Sequence, residues 1–199
     1  MPRVTTAFAA ALALFMPLGR PLLIGLTPAV GIGAGLLSTQ IAYAQSAEDW
    51  FNSGVAKSDR GDWQGAIADY TKAIEFNPQD ADAYFNRAAS KNDLGDYQGA
   101  LIDYDKALEI NPQNAKAYNN RGIVKDNLED YQGAIADYTK AIEIDPQHAN
   151  AYGNRGFSKG VGFQDSDGAC SDFKKAASLG LEYRINWLNS DEGSWCRNM

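Results

Sequence analysis

The sequence predicts an all-α fold built from about four stacked helix pairs. Three observations carry this. The prolines after residue 44 are Pro78, Pro112 and Pro146, each 34 residues from the next. The text around them repeats: residues 64–75 and 132–143 both read QGAIADYTKAIE, and residues 98–109 read QGALIDYDKALE midway between them. Each period holds two amphipathic stretches, and no run shows the strict alternation of a strand. Internal identity at a fixed period marks stacked units that bury their apolar faces against one another.

Residues 1–44 precede the repeats and differ from them. They hold apolar blocks at 7–18 and 22–37, separated by Gly19, Arg20 and Pro21, and finish on Ala42, Tyr43 and Ala44. A basic start, an apolar stretch and an A-x-A site predict a secretory signal peptide, with the mature chain beginning at Gln45. The alternative is a retained membrane anchor at 22–37. That block has 16 residues, short of the ~20 that a spanning helix needs, and Gly25, Pro28, Gly31, Gly33 and Gly35 weaken its helix. No cysteine lies near the site, which excludes a lipid-anchored lipoprotein. The expectation is export to a periplasm, a thylakoid lumen or the extracellular space, or an outward-facing anchored form if the segment stays uncleaved.

The units follow at 47–80, 81–114, 115–148 and 149–180, within a repeat domain spanning 45–180. In the second, a helix opens at Ala83 and Tyr84 and runs to Leu94, where Gly95 breaks it. Asp96 caps the next helix, as Asp62 and Asp130 do at equivalent places. Ala100, Tyr104, Ala107 and Leu108 then fall at i, i+4, i+7 and i+8 on one apolar face. Asn111 followed by Pro112 ends it, because proline cannot continue a helix.

These residues resemble the tetratricopeptide repeat (TPR) family. Unit one supplies Trp50, Gly54, Gly61, Trp63, Ala66, Tyr70, Ala73 and Pro78. Unit two supplies Tyr84, Ala88, Gly95, Tyr97, Ala100, Tyr104, Ala107 and Pro112. Unit three supplies Tyr118, Gly122, Tyr131, Ala134, Tyr138, Ala141 and Pro146, with Glu129 where glycine is expected. The wording around them resembles repeats frequent in cyanobacterial exported proteins. The resemblance implies a right-handed superhelix whose concave side is lined by the first helix of each pair.

Unit four departs from the pattern. Tyr152, Gly156, Ala169, Phe173 and Ala176 match, but Gly156 and Gly168 stand 12 apart where Gly122 and Gly133 stand 11 apart. One residue is therefore inserted in the turn, and Gly180 replaces the closing proline. Residues 181–199 form a divergent end in which Leu181, Ile185, Trp187 and Leu188 suit a helix covering the last exposed face. Cys170 takes the second-helix position filled by Ile67, Leu101 and Ile135, so it points inward, and Cys196 lies close enough along the chain to reach it. In an oxidising compartment the pair forms a disulfide; the alternative is a small buried hydrophobe and an exposed thiol.

Charge and composition exclude several functions. Formal net charge is −7; Arg3 and Arg20 are the only charges in residues 1–44, so the rest carries 16 basic against 25 acidic groups, net −9. Such a body repels phosphate backbones, and no nucleic-acid partner is expected. One histidine, His148, and two cysteines match no zinc spacing, and no metal is expected. No G-x-G-x-x-G, P-loop or nucleophile elbow occurs, so neither a cofactor nor catalysis is expected. An enzyme site within 160–199 is the rival reading.

The candidate binding residues follow from the resemblance. In the family the concave side binds extended peptides, and the sixth position of each unit faces it. That position holds Asn52, Asn86, Asn120 and Asn154. An amide both donates and accepts, so a row of them can hold a peptide backbone of any sequence. Asparagine is a mediocre helix former, which asks for a reason; recent duplication of units is the competing one. Phe51 and Phe85 lie one residue earlier, with Asn119 in their place in unit three, and Lys116 lies further along. The carboxylate clamp of the family's chaperone-tail binders is absent, since Phe51 and Val55 occupy two of its five positions. The expected partner is a protein or peptide, with docking onto a folded complex through the outer surface as the alternative. The pairs Arg87/Lys91, Arg121/Lys125 and Arg155/Lys159 read either as exposed ion pairs with the repeated Asp69, Asp103, Asp137 and Asp172, worth ~0–1 kcal/mol each, or as an anion-facing stripe.

Overall fold

A computed structural model describes residues 46–191 and 193–197. The signal peptide and anchor expected within 1–44 lie outside the described residues. Among those described, the structure is all helical, with no strand, and no helix is long and apolar enough to cross a membrane.

Unit one pairs α1 (Ala47–Ser58) with α2 (Trp63–Phe76), and unit two pairs α3 (Ala81–Asp93) with α4 (Tyr97–Ile110). Unit three pairs α5 (Ala115–Asn127) with α6 (Tyr131–Ile144), and unit four pairs α7 (Ala149–Phe163) with α8 (Ser166–Ser178). Two shorter helices, α9 (Glu182–Asn189) and α10 (Ser194–Arg197), follow.

Local chemistry places each boundary. Ser46 opens α1 with a capping box: its hydroxyl accepts from the Asp49 amide at 3.1 Å, and the Asp49 carboxylate accepts from the Ser46 amide at 2.8 Å. Asp62, Asp96, Asp130 and Asp165 cap the second helices, each accepting from a glycine amide three residues on. The turn between paired helices needs one left-handed residue. Gly61 and Gly95 supply it at φ +76° and +79°, whereas Glu129 and Gln164 adopt φ +61° and +54° without glycine's freedom. The residue inserted in unit four lengthens α7 to 15 residues, against 13 in α5.

Packing within a unit centres on the aromatic ring of the second helix. Tyr70, Tyr104 and Tyr138 are fully buried, with Phe173 in their place in unit four. The first helix approaches so closely that a Cβ on Gly122 would stand 2.6 Å from the Tyr138 ring. Alanines at 66, 73, 88, 100, 117, 134, 141 and 151 fill the rest of the seam with no exposed surface or almost none. Between units, each second helix packs on the next first helix (α2 on α3, α4 on α5, α6 on α7), and first helices touch their successors directly. Second helices make no comparable contact with one another among the described residues. The first helices therefore line the inner, concave side of the array.

Candidate functional site

The inner face carries Asn52, Asn86, Asn120 and Asn154, one per first helix. Asn52 is exposed and the other three are partly so. Their side chains are not equivalent. Asn86 donates to the Asp82 carbonyl of its own helix at 2.8 Å. Asn120 and Asn154 are joined through Asn119: Asn154 donates to Asn119 at 3.1 Å, and Asn119 donates to Asn120 at 3.1 Å. Asn119 itself is buried at 5% exposure. It links units three and four from within, while among the described residues Asn52 makes no side-chain hydrogen bond and Asn86 bonds only its own helix.

Phe51 and Phe85 are half-buried. Their rings lean on Tyr70 and Tyr104 of the same unit, with centroids 5.8 and 5.7 Å apart. Lys116 is exposed, on the rim of a cleft of about 620 Å³ where the Asn114, His148 and Leu181 turns meet. His148 caps α7, its Nδ1 accepting from the Ala151 amide at 3.3 Å.

The basic pairs turn inward, between helices. Arg87 grips Asp103 with Nε at 2.8 Å and Nη2 at 2.7 Å, and Lys91 reaches the same carboxylate at 2.8 Å. Arg121 and Lys125 hold Asp137 the same way, as Arg155 and Lys159 hold Asp172. The third guanidinium nitrogen crosses to the preceding unit, meeting Thr71 at 3.0 Å, Asp105 at 2.7 Å and Thr139 at 3.2 Å. Among the described residues no unit precedes unit one, and Ser53 stands in the arginine's place, donating to Asp69 at 2.5 Å beside Lys57. Burial corrects the expectation of exposed pairs: the four carboxylates are only 2–4% exposed. Two cations hold each of Asp103, Asp137 and Asp172, while Lys57 and the Ser53 hydroxyl hold Asp69, so these cations serve the stack and offer no anion-facing stripe.

The C-terminal segment packs at the end of the array. Helix α9 lies on α8, Arg184 stacks 3.8 Å over the Phe173 ring and donates to the Gly153 carbonyl at 3.3 Å, and Trp187 meets Phe173 edge-on. Cys170 and Cys196 are joined by a disulfide with Cα atoms 5.4 Å apart, pinning α10 over the last second helix. The contacts of this tail fall on unit four. Among the described residues, they include none to Asn52, Asn86 or Asn120.

A tetratricopeptide repeat family model matches residues 81–114 and 115–148, in register with units two and three, and a TPR repeat model matches 54–91. The chain is a tetratricopeptide-repeat protein. No curated protein matches it in sequence. Among solved structures it is similar to MamA, at 27% identity and TM-score 0.65, covering 70% of this chain and 81% of that one. A MamA from Desulfovibrio magneticus RS-1 matches at 25% identity and TM-score 0.64, covering 69% and 77%. The Arabidopsis OM64 TPR domain matches at 33% identity and TM-score 0.57, covering 57% and 94%. The first TPR domain of Spaghetti (RPAP3), solved with the HSP90 peptide SRMEEVD, matches at 25% identity and TM-score 0.56, covering 57% and 90%.

As a TPR array the chain is a protein-interaction scaffold. Two of its inner-face residues escaped the sequence reading. Phe157 and Val161 of α7 are 48% and 52% exposed. They stand three and seven residues beyond Asn154, on the same helix face. Tracing positions 55 and 59 forward in steps of 34 would have found them. The polar contact of Ser158 with Asp126, at 2.8 Å across the unit boundary, was also missed. No local pattern marks it, because its partner belongs to another unit.

Proposed function

We propose that this protein is a non-enzymatic scaffold that holds a polypeptide segment of a partner along its inner face, outside the cytoplasm. The observation that carries the reading is the row of first-helix asparagines, of which Asn52, Asn86 and Asn120 meet no contact of the described C-terminal tail. Asn52 and Asn86 present donors and acceptors to a backbone laid across them, which suits recognition that does not depend on sequence. The Spaghetti TPR domain, bound to a peptide, is precedent for a segment held by this fold. That peptide carries two glutamates, whereas the inner face here is acidic in units one and two, so the ligand differs in charge. Placement outside the cytoplasm rests on the signal-like residues 1–44 and on the joined cysteines, which persist where thiols are oxidised.

The test is affinity capture of the exported protein, followed by titration of the recovered partner against Asn52→Ala with Asn86→Ala. These two asparagines are chosen because Asn120 supports the buried Asn119. Losing two hydrogen bonds of ~0.5–1.5 kcal/mol each weakens binding by about tenfold or more, with helicity unchanged. Equal affinity in the double variant would move the binding site to the outer surface or the tail.

A further inference from the structure

The inner face changes character from one end to the other. On each first helix the asparagine is followed at i+3 and i+7 by two residues on the same face. At i+3 these are Val55, Ala89, Ile123 and Phe157, ending on the one large aromatic ring. At i+7 they are Asp59, Asp93, Asn127 and Val161, running from acid through amide to apolar. Four residues before each asparagine the chain reads Glu48, Asp82, Lys116 and Asn150, acidic in units one and two only. Glu48, Asp59, Asp82 and Asp93 are all exposed, and none is ion-paired among the described residues. They contrast with Asp69, Asp103, Asp137 and Asp172, each of which is buried and ion-paired. Phe157 and Val161 form the reverse feature, an apolar shelf beside Asn154 that nothing in the described chain covers.

We infer that this gradient selects and orients the ligand: an extended polypeptide segment that is basic at the end lying over units one and two and carries large apolar side chains at the end lying over unit four. The inference rests on the inner-face reading proposed above. Its occupant is set by charge complementarity. Unpaired acids flanking a groove draw in lysine and arginine, raise the association rate and penalise acidic segments. The shelf supplies the energy that charge alone does not, because desolvated aromatic contacts dominate such interfaces. Asparagine side-chain amides in the middle hold either direction of chain equally, so only the two ends can fix orientation.

The experiment is selection of a phage-displayed library of random peptides on the full-length chain, followed by anisotropy titration of labelled selected peptides. The expected result is a set with basic residues at one end and large apolar residues at the other, in a constant order along the peptide. Phe157→Ala then weakens a selected peptide by about tenfold. Asp59→Asn with Asp93→Asn also weakens it and flattens its salt dependence. All three positions are exposed, so the melting temperature is unchanged. Peptides that need Asn52 and Asn86 but show no end-to-end order, or that ignore both sets of variants, would overturn the orientation and leave the inner-face reading standing. Peptides indifferent to Asn52→Ala with Asn86→Ala, or no enrichment at all, would overturn both.

Discussion

Arg121 and Asp137 face each other as a planar fork, with Nε at 2.8 Å from one carboxylate oxygen and Nη2 at 2.6 Å from the other. The carboxylate is 4% exposed. The remaining Nη1 crosses to Asp105 of unit two, so one guanidinium ties two units together. A bidentate, charge-assisted pair in a buried seam differs from a surface ion pair. Removing Asp137 takes the shared carboxylate from both Arg121 and Lys125 and leaves two mostly enclosed cations in the seam with only Asp105 to meet them.

Asp137→Ala therefore destabilises the protein by about 3 kcal/mol, several times the cost of breaking an exposed pair such as Lys140–Glu143. Urea unfolding followed by circular dichroism measures the difference. A loss equal to that of Lys140→Ala would refute it.

Glu129 holds φ +61° in the turn where units one and two use glycine. A left-handed non-glycine residue costs roughly 1–2 kcal/mol, partly offset by the greater entropy glycine carries when unfolded. Glu129→Gly is expected to stabilise by about 1 kcal/mol, read as a higher urea midpoint at unchanged slope.

Reducing the Cys170–Cys196 bond opens a loop with a sequence separation of 26. Loop closure of this size is worth ~3 kcal/mol. Calorimetry with and without reductant is expected to show a lower melting temperature on reduction. Proteolysis should then begin in 181–199, because α9 and α10 lose their tether while units one to three keep their seams.

Burial raises the pKa of Asp126, although the Tyr138 and Ser158 hydroxyls donate to its carboxylate. The folded chain thus binds this proton more readily than the unfolded one. Stability from this group is present at low pH and is lost as pH rises from the ordinary value near 3.8 through the raised folded value. Asp126→Asn removes the titration. Relative to wild type, the variant is expected to look more stable at neutral pH than at pH near 4. A constant difference across that window would contradict the assignment.

Much of the fold was legible in the sequence because its causes are local. Asp62, Asp96 and Asp130 announce helix starts, Pro78, Pro112 and Pro146 announce stops, and the 34-residue step places one on the other. That the four asparagines recur at one position of each first helix was equally legible, since helical periodicity places a residue without reference to any neighbour. What each asparagine does was not. Asn119 read as a groove residue beside Asn120, and it is a buried link to Asn154 of the next unit.

By itself the sequence determined the number of helix pairs, their boundaries and which residues share a face. These follow from backbone geometry and capping, which act over a few residues. Only the tertiary structure decided which polar groups are enclosed: Asp103 between Arg87 and Lys91, Asn119 between two asparagines, and Phe157 left open while Phe51 leans on Tyr70. A repeat fixes what recurs at every step. Burial and partnership depend on the space left between one unit and the next, and that space is set by how the whole array stacks.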